Sequence, residues 1–189
     1  DLIAAAPQLL IVGRAGAGLD NIDVDAASAH GVVVAYTPDE NSLSVAELTI
    51  GLIIAIARKI PSADRNVRSG QWARHQFVGM ELSGKSLGIV GLGRIGRLVA
   101  QRAGALQMRV NADRAYKKRV ANLTEPQEFA WLSFEQLVAQ SDVISCHVRL
   151  TEETRGLFNY ERFCQMKSTA IFINRSRGEV GAETGLGRT

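Results

Sequence analysis

The glycine-rich stretch 91–96 (GLGRIG) constrains the fold of this chain more than any other feature of its sequence. An apolar run over 87–90 comes before it and predicts a buried strand, while the segment 94–106 has the pattern of a helix. A second apolar run over 108–112 predicts another strand and leads into Asp113. A strand, a Gly-x-Gly-x-x-Gly turn, a helix and a strand that ends in an acid together predict a βαβ unit with parallel strands.

The same alternation of strands and helices continues toward the end of the sequence. Helices are predicted over 133–140 and 159–166, and apolar runs over 142–148 and 168–174 predict strands. Because strands that alternate with helices pair in parallel through right-handed crossovers, the sequence predicts an α/β fold with a doubly wound parallel sheet.

The first third of the chain contains two further apolar runs, over 8–13 and 32–36, which also predict strands. Asp23 is a candidate cap for a short helix between them. A longer helix is predicted over 44–58, where Ser44 and Glu47 have the spacing of a capping box. That helix is apolar nearly all round, so we expect it to be buried in a core or against a partner subunit.

Composition excludes several classes of protein. The 189 residues are 46% hydrophobic and 22% charged, which excludes disordered, collagen-like and disulfide-stabilised chains. The net charge of +3 is spread along the chain, without a basic block that would indicate nucleic acid. Cys146 and Cys164 form no CxxC pair, so we expect no metal site and two free, buried thiols in a reducing, cytoplasmic compartment. The most apolar run, 48–57, is too short to span a membrane, and the polar connection 61–84 is expected to be anchored by Trp72 and Phe77.

The residue types of the glycine-rich stretch suit a nucleotide phosphate. Gly91 permits a sharp turn, Gly93 lets the backbone approach a pyrophosphate, and Gly96 allows close packing of the helix on the sheet. Asp113 lies 22 residues after Gly91, near the usual place of an acid that binds ribose hydroxyls. Its negative charge disfavours a 2′-phosphate and favours NAD over NADP, and Arg114, which directly follows, weakens that preference. The alternative is a tight turn without a ligand.

Five segments resemble one family, the D-isomer-specific 2-hydroxyacid dehydrogenases, and together they cover nearly the whole chain. They are GRAGAGLDNID (13–23), TPDENSLSVAELTIG (37–51), the block 70–96, HVRLTEETRGL (147–157) and NRSRGEV (174–180). The resemblance implies NAD as cofactor and hydride transfer between nicotinamide and C2 of a D-2-hydroxy acid. It also implies that Arg177 is catalytic, because its guanidinium would form paired hydrogen bonds with the substrate carboxylate and keto oxygen. The alternative for Arg177 is a surface arginine at a strand end.

The resemblance implies further site residues on both sides of the active centre. The cofactor-binding set is Ala17, Gly91, Gly93, Arg94, Ile95, Gly96, Asp113, Val148, Arg175, Ser176 and Arg177. The substrate-binding set is Arg14, Ala15, Gly16 and Asn41. Arg14 could instead be a solvated loop charge, and Asn41 could cap the following helix.

The resemblance also implies a domain organisation. Residues 1–38 correspond to the C-terminal part of a partial, flavodoxin-like substrate-binding domain, and residues 39–189 correspond to a Rossmann-type NAD-binding domain that lacks its last strands. In the family, the helix matching 44–58 packs at a two-fold interface, which predicts a homodimer or a higher homo-oligomer. Small-molecule substrates are expected, with no nucleic acid and no membrane as partners.

The sequence departs from the family pattern near its end. The family's proton-transferring histidine and its partner glutamate follow the arginine, and only twelve residues follow Arg177 here. We therefore expect both groups to be missing, and none of His30, His75 and His147 is assigned their role. Arg149 stands where the family usually has proline. The expected function is an incomplete dehydrogenase chain that is inactive alone. The alternatives are a non-catalytic NAD-binding module, of the kind found in corepressors with this fold, or a truncated product without function.

Overall fold

Two units make up the chain, Asp1–Ser44 and Val45–Thr189, in a computed structural model that describes residues 2–16, 18–38, 40–116 and 129–181. Ala17 of the predicted cofactor set and the glycine-rich end of the sequence lie outside the described residues. None of the helices that the structure describes combines the length and the hydrophobicity that a membrane crossing requires.

The first unit is built on two parallel strands joined through a helix. Strand β1 (Ile11–Arg14) pairs with β2 (Val33–Tyr36), and helix α1 (Val24–Ala29) lies between them in the sequence. Asp23 caps α1, as predicted, because its side chain accepts a hydrogen bond of 2.8 Å from the amide of Ala26.

Helix α2 (Ser42–Ala57) begins two residues earlier than the sequence predicts. Ser44 therefore lies inside the helix, and the predicted capping box is wrong. Burial follows a single face of α2 rather than the whole circumference. Ala46, Ile53 and Ala57 are buried, whereas the apolar side chains of Leu43, Leu48 and Ile56 are each about half exposed.

The polar connection after α2 contains a helix that the sequence analysis missed. Helix α3 (Ile60–Arg68) starts with proline at its first turn, a position where the missing N–H costs nothing. A 3₁₀ turn follows at Arg74–Phe77. The expectation that Trp72 anchors this segment is wrong, since 78% of its surface is exposed.

In the described part of the second unit, five parallel strands form one sheet, which confirms the predicted doubly wound fold. They are β3 (Ser86–Val90), β4 (Arg109–Asp113), β5 (Ala130–Leu132), β6 (Val143–Cys146) and β7 (Ile171–Asn174). Their spatial order is β5-β4-β3-β6-β7. The chain therefore runs outward from β3 to one edge, returns, and continues from β6 to the other edge. The strand order reverses between β3 and β6, and in doubly wound sheets ligands bind at the carboxyl ends of the strands at such a switch point.

Helices cover both faces of this sheet. Helix α4 (Arg94–Ala105) packs with α2 on one face, around a core that includes Ile89 and Val99. Helices α5 (Phe134–Gln140) and α6 (Tyr160–Gln165) follow β5 and β6, and the second core cluster includes Leu137, Ile144 and Phe158. All five residues of β3 are buried, as expected for a strand that is covered on both faces.

A partly exposed ionic contact links the amino ends of β3 and β6 to Lys167. The carboxylate of Asp142 accepts hydrogen bonds from the amide and hydroxyl of Ser86, at 2.8 and 2.9 Å, and from Nζ of Lys167 at 2.7 Å. Burial alone would raise the pKa of Asp142, but the hydrogen bonds from Lys167 and Ser86 lower it to about 2. The carboxyl ends of the same strands are free of this contact and form the candidate site.

Candidate cofactor-binding site

The glycine-rich turn leaves the carboxyl end of β3 directly beside the segment that leaves β6. Gly91 has φ +96°, which favours glycine. A Cβ atom at Gly91 would lie 2.6 Å from the carbonyl carbon of His147 and 2.7 Å from the amide nitrogen of Val148. The two strand ends therefore approach one another backbone to backbone, and the first glycine of the turn makes this possible.

The other two glycines of the turn have different surroundings. A Cβ atom at Gly96 would collide with the carbonyl oxygen of Gly91, so this glycine lets α4 pack against the turn. A Cβ atom at Gly93 would have no neighbour within 4 Å. Gly93 is exposed and precedes the first helical residue. The protein therefore leaves an open space at Gly93, where a bound group can approach the backbone.

The N-terminus of α4 faces this open space with the positive end of a twelve-residue helix. The amide of Arg97 makes the first helical hydrogen bond, of 3.0 Å, to the carbonyl of Gly93. In any α-helix the amides of the first turn point out of its N-terminal end. Arg94 is exposed and Ile95 is half-buried at this end. The arrangement suits the two negative charges of a pyrophosphate.

Asp113 is the last residue of β4 and is 8% exposed. Its Oδ1 accepts a hydrogen bond of 3.0 Å from the amide of Ala115, and the residues that the structure describes offer Oδ2 no donor. The guanidinium of Arg114 donates to the carbonyl of Trp131 at 3.3 Å, so it is engaged with the backbone of β5. A carboxylate with one committed and one available oxygen suits the hydroxyls of a ribose.

The segment after β6 also borders the turn. The amide of His147 donates to the carbonyl of Val90 at 2.7 Å, which continues the pairing of β3 and β6 beyond the strands. The side chain of Val148 is 7% exposed and packs in the core with Val90. It is therefore the backbone of Val148, more than its side chain, that lies beside Gly91.

A turn stabilised by Asn174 carries the three predicted residues 175–177. The side chain of Asn174 accepts a hydrogen bond of 2.9 Å from the amide of Ser176 and donates one of 2.8 Å to the carbonyl of Arg177. Arg175, Ser176 and Arg177 are all half-buried, and Nη1 of Arg177 donates to the carbonyl of Ser176 at 3.2 Å. Sequence reasoning did not select Asn174, although an asparagine at a strand end is typical of such turns.

Two titratable side chains lie at the end of β6. Nε2 of His147 lies 2.8 Å from Oγ of Ser145. Burial, together with the charge of Arg175, lowers the pKa of His147 to about 4, so its imidazole is neutral near pH 7. Burial raises the pKa of the Cys146 thiol, whose sulfur lies 3.7 Å from Oγ of Ser176. The expectation of two buried thiols holds for Cys146 and is wrong for Cys164, which is exposed.

The predicted substrate residues belong to the first unit. Nη1 of Arg14 donates to Oδ1 of Asn21 at 2.6 Å, and the amide of Gly16 donates to Oγ1 of Thr37 at 2.9 Å. Ala15 lies between them in the loop after β1. Asn41 is exposed and directly precedes α2.

Comparison with known proteins supports one family. The family model described as "D-isomer specific 2-hydroxyacid dehydrogenase, NAD binding domain" matches residues 50–188. Proteins named D-3-phosphoglycerate dehydrogenase from Archaeoglobus fulgidus and Mycobacterium tuberculosis are each 45% identical, over 186 and 188 residues. Each match covers 98% of this chain and 35% of the relative, so the chain spans about a third of the length of these relatives.

Solved structures show the same fold at lower identity. The TT0316 protein from Thermus thermophilus matches with a TM-score of 0.87 and 35% identity, over 98% of this chain and 58% of that one. An NAD-dependent formate dehydrogenase from Staphylococcus aureus in complex with NAD matches with a TM-score of 0.85 and 31% identity, over 97% and 54%. A D-lactate dehydrogenase from Aquifex aeolicus, complexed with NAD and lactic acid, gives 0.84 and 29%, over 99% and 56%.

Proposed function

The chain belongs to the D-isomer-specific 2-hydroxyacid dehydrogenase family, and we propose that it is the NAD-binding core of an oxidoreductase that acts on D-3-phosphoglycerate. The reaction would oxidise the CH–OH group at C2 of this D-2-hydroxy acid, in the first step of serine biosynthesis. The observation that carries the proposal is the turn after β3. It combines an open space at Gly93, a helix N-terminus at Arg94 and an acid at Asp113, at the carboxyl ends of β3 and β4.

The choice of substrate rests on the similar proteins. Relatives that carry the name D-3-phosphoglycerate dehydrogenase are 43–45% identical to this chain. The solved lactate and formate dehydrogenases that match are 27–31% identical. The higher identity favours 3-phosphoglycerate over the other acids. An exposed, unbridged Cys164 agrees with a cytoplasmic location.

In the proposed site, some residues of this chain bind the cofactor and others bind the substrate. Bound NAD supplies the hydride acceptor. The amides at the start of α4 would bind the pyrophosphate, and Asp113 would bind the adenosine ribose. Arg177 would bind the carboxylate and the C2 oxygen of the substrate through a planar, bidentate contact.

The predicted substrate residues lie in the first unit. Residues 1–38 would be the C-terminal part of a flavodoxin-like substrate-binding domain, and residues 39–189 would form the NAD-binding domain. Arg14, Ala15 and Gly16 would contact the substrate from the loop after β1, and Asn41 would contact it from the segment before α2. Within this unit Arg14 donates a hydrogen bond to Asn21, and the amide of Gly16 donates one to Thr37.

Helix α2 supports a homodimer. Leu43, Leu48 and Ile56 are exposed by 55%, 49% and 48%, on a helix whose side chains Ala46, Ile53 and Ala57 are packed in the core. Exposed apolar side chains on one helix are costly in water and are typical of protein interfaces. We therefore propose that α2 packs against α2 of a second copy of this chain.

One observation favours a second function, NAD binding without turnover. Hydride transfer from an alcohol needs a base for the hydroxyl proton, usually a histidine oriented by a carboxylate. In the ranges that the structure describes, no histidine is hydrogen-bonded to a carboxylate. His30 contacts the carbonyl of Ala26, and His147 contacts Ser145. The chain alone would then bind NAD and remain inactive.

Calorimetry and a turnover assay test both functions together. Titration of the chain with NAD should release heat, and Asp113→Ala should weaken that binding while NADP gains relative to NAD. Absence of binding at millimolar NAD would refute the proposal. D-3-phosphoglycerate and NAD should then be incubated with the chain while NADH absorbance is followed. Steady formation of NADH would show that the chain alone catalyses the reaction and would exclude the non-catalytic module, and binding without NADH would show that the chain alone binds NAD without turnover.

A further inference from the structure

His147 and Arg175 are neighbours across the carboxyl ends of β6 and β7. The two strands pair in register up to Cys146 and Asn174, and the amide of Arg175 donates to the carbonyl of Cys146 at 3.0 Å. The next residue of each strand therefore lies beside its counterpart. Because side chains alternate along a strand, His147 lies on the same face as Ser145, which its imidazole contacts.

Both side chains carry a buried nitrogen without a partner. Nδ1 of His147 and Nε of Arg175 are shielded from solvent, and neither has a hydrogen-bond partner in the described part of the chain. The ring nitrogen Nε2 is the one hydrogen-bond partner of the Ser145 hydroxyl among the described side chains. If the hydroxyl donates to Nε2, both groups of this pair are satisfied, and the ring proton sits on Nδ1. Two N–H donors, on residues that are neighbours across the sheet, then lack an acceptor.

These donors lie on the face of the sheet that carries the phosphate-binding turn. Ile89 pairs with Ser145 in the sheet, and the side chain of Ile89 approaches the position of a Gly96 Cβ at 3.3 Å. The start of α4, Ser145 and His147 therefore share one face. Across the sheet from Asp113 at the end of β4, His147 lies on the far side of β3 and its glycine-rich turn, next to the 175–177 turn that follows β7.

We propose that Nδ1–H of His147 and Nε–H of Arg175 bind one acceptor oxygen in the pyrophosphate–nicotinamide half of the dinucleotide. Arg175 is a long, partly exposed side chain, so it can shift to admit the oxygen between the two donors. The inference deepens the proposed function and rests on the NAD site at the turn after β3. It makes His147 a ligand-binding residue of that site.

Two amide variants of His147 test the roles of the two ring nitrogens separately. Asparagine places its amide near the position of Nδ1, and glutamine reaches the position of Nε2. His147→Gln should therefore weaken NAD binding about tenfold, the loss of one hydrogen bond. His147→Asn should stay within about threefold of the unmodified chain, less than the loss of one such bond. A role in holding Ser145 alone predicts the opposite order, with His147→Asn as the weaker binder. That order, or equal binding by all three proteins, would overturn the inference.

The choice of ligand adds a control for general damage. AMP lacks the pyrophosphate–nicotinamide half, so His147→Gln should bind AMP as well as the unmodified chain does in an NMR titration. An equal loss for AMP and NAD would show a general distortion and would refute the inference. If the unmodified chain binds AMP and NAD with equal affinity, the inference fails while the adenosine site stands. If it binds neither ligand, the proposed function fails as well.

A measurement on the unmodified chain needs no variant to fold. ¹⁵N NMR of His147 should show the neutral tautomer with the proton on Nδ1, and NAD should shift the Nδ1 resonance while AMP does not. A proton on Nε2, or an Nδ1 resonance that is indifferent to NAD, would contradict the proposed contact.

Discussion

Alanine at Gly91 and alanine at Gly93 should impair different properties, the first variant losing stability and the second losing affinity for NAD. At Gly91, φ is +96° and an added Cβ would lie 2.6–2.8 Å from three backbone atoms of His147 and Val148. At Gly93, φ is −77° and no atom lies within 4 Å of an added Cβ. The two glycines are two residues apart on one turn, so each variant is the matched control of the other.

The expected magnitudes follow from these surroundings. A left-handed backbone costs a non-glycine residue about 1 kcal/mol, and forcing atoms into a packed site costs about 1–3 kcal/mol more. Backbone atoms cannot rotate away as a side chain can, so Gly91→Ala should lower the free energy of unfolding by about 2–4 kcal/mol. Gly93→Ala should change it by less than about 0.5 kcal/mol. It should nevertheless weaken NAD binding at least about tenfold, or about 1.4 kcal/mol, because the methyl group fills the space of the pyrophosphate.

Urea unfolding followed by circular dichroism gives the stability of each variant, and calorimetry gives the NAD affinity. The reasoning requires a double dissociation, with stability lost in Gly91→Ala and affinity lost in a fully stable Gly93→Ala. A Gly93→Ala protein that binds NAD normally would show that the open space is not where the pyrophosphate lies. A fully stable Gly91→Ala protein would refute the close approach of the two strand ends.

Three further outcomes are expected. Between pH 7 and pH 5 the free energy of unfolding should fall by about 2 kcal/mol through His147, because the unfolded imidazole takes up a proton below about pH 6.5 and the folded one only near its pKa of about 4. Urea titrations of His147→Asn should lack this fall. The same fall of unfolding free energy with pH in both proteins would contradict the prediction. Asp142→Asn should lower the free energy of unfolding by about 1–2 kcal/mol at pH 7. The carboxylate, whose pKa is lowered to about 2, stabilises the fold above pH 3.8, and this stabilisation is lost as pH falls toward 2. A difference in unfolding free energy between the two proteins that stays constant down to pH 2 would show that the charge of Asp142 is not its source. Sedimentation should give twice 20.4 kDa, with Leu48→Glu monomeric and the neighbouring Glu47→Gln still dimeric; a monomeric unmodified chain would rule out the interface.

The sequence was most informative where side-chain type and backbone geometry depend on each other. The glycine spacing predicts the turn after β3, the following helix and the strand that ends at Asp113, because only glycine fits two of these positions. Regular apolar runs likewise predict β6 and β7. The run Ala130–Leu132 was missed, because three residues are too few to show a period.

Errors arose where burial decides the outcome rather than local pattern. Ser44 has the spacing of a cap, yet α2 begins at the buried Ser42, so Ser44 lies inside the helix and the cap is lost. Trp72 was expected in a core on the grounds of its size, but the segment after α3 leaves it exposed. Hydrophobicity states how much a side chain gains from burial, and only the fold decides whether a partner surface is available.

The candidate site is held together by peptide groups more than by the side chains that characterise it. The amide of His147 bonds to the last residue of β3, and the amide of Arg175 bonds to the last residue of β6. Each strand end thus fixes the start of the next functional segment, whatever side chains that segment carries. Such contacts leave no residue-type signal, which is why the turn glycines could be found from sequence and the unpaired nitrogens of His147 and Arg175 could not. Side chains at these two positions are therefore free to set which ligand oxygens are bound, while the backbone sets where the ligand lies.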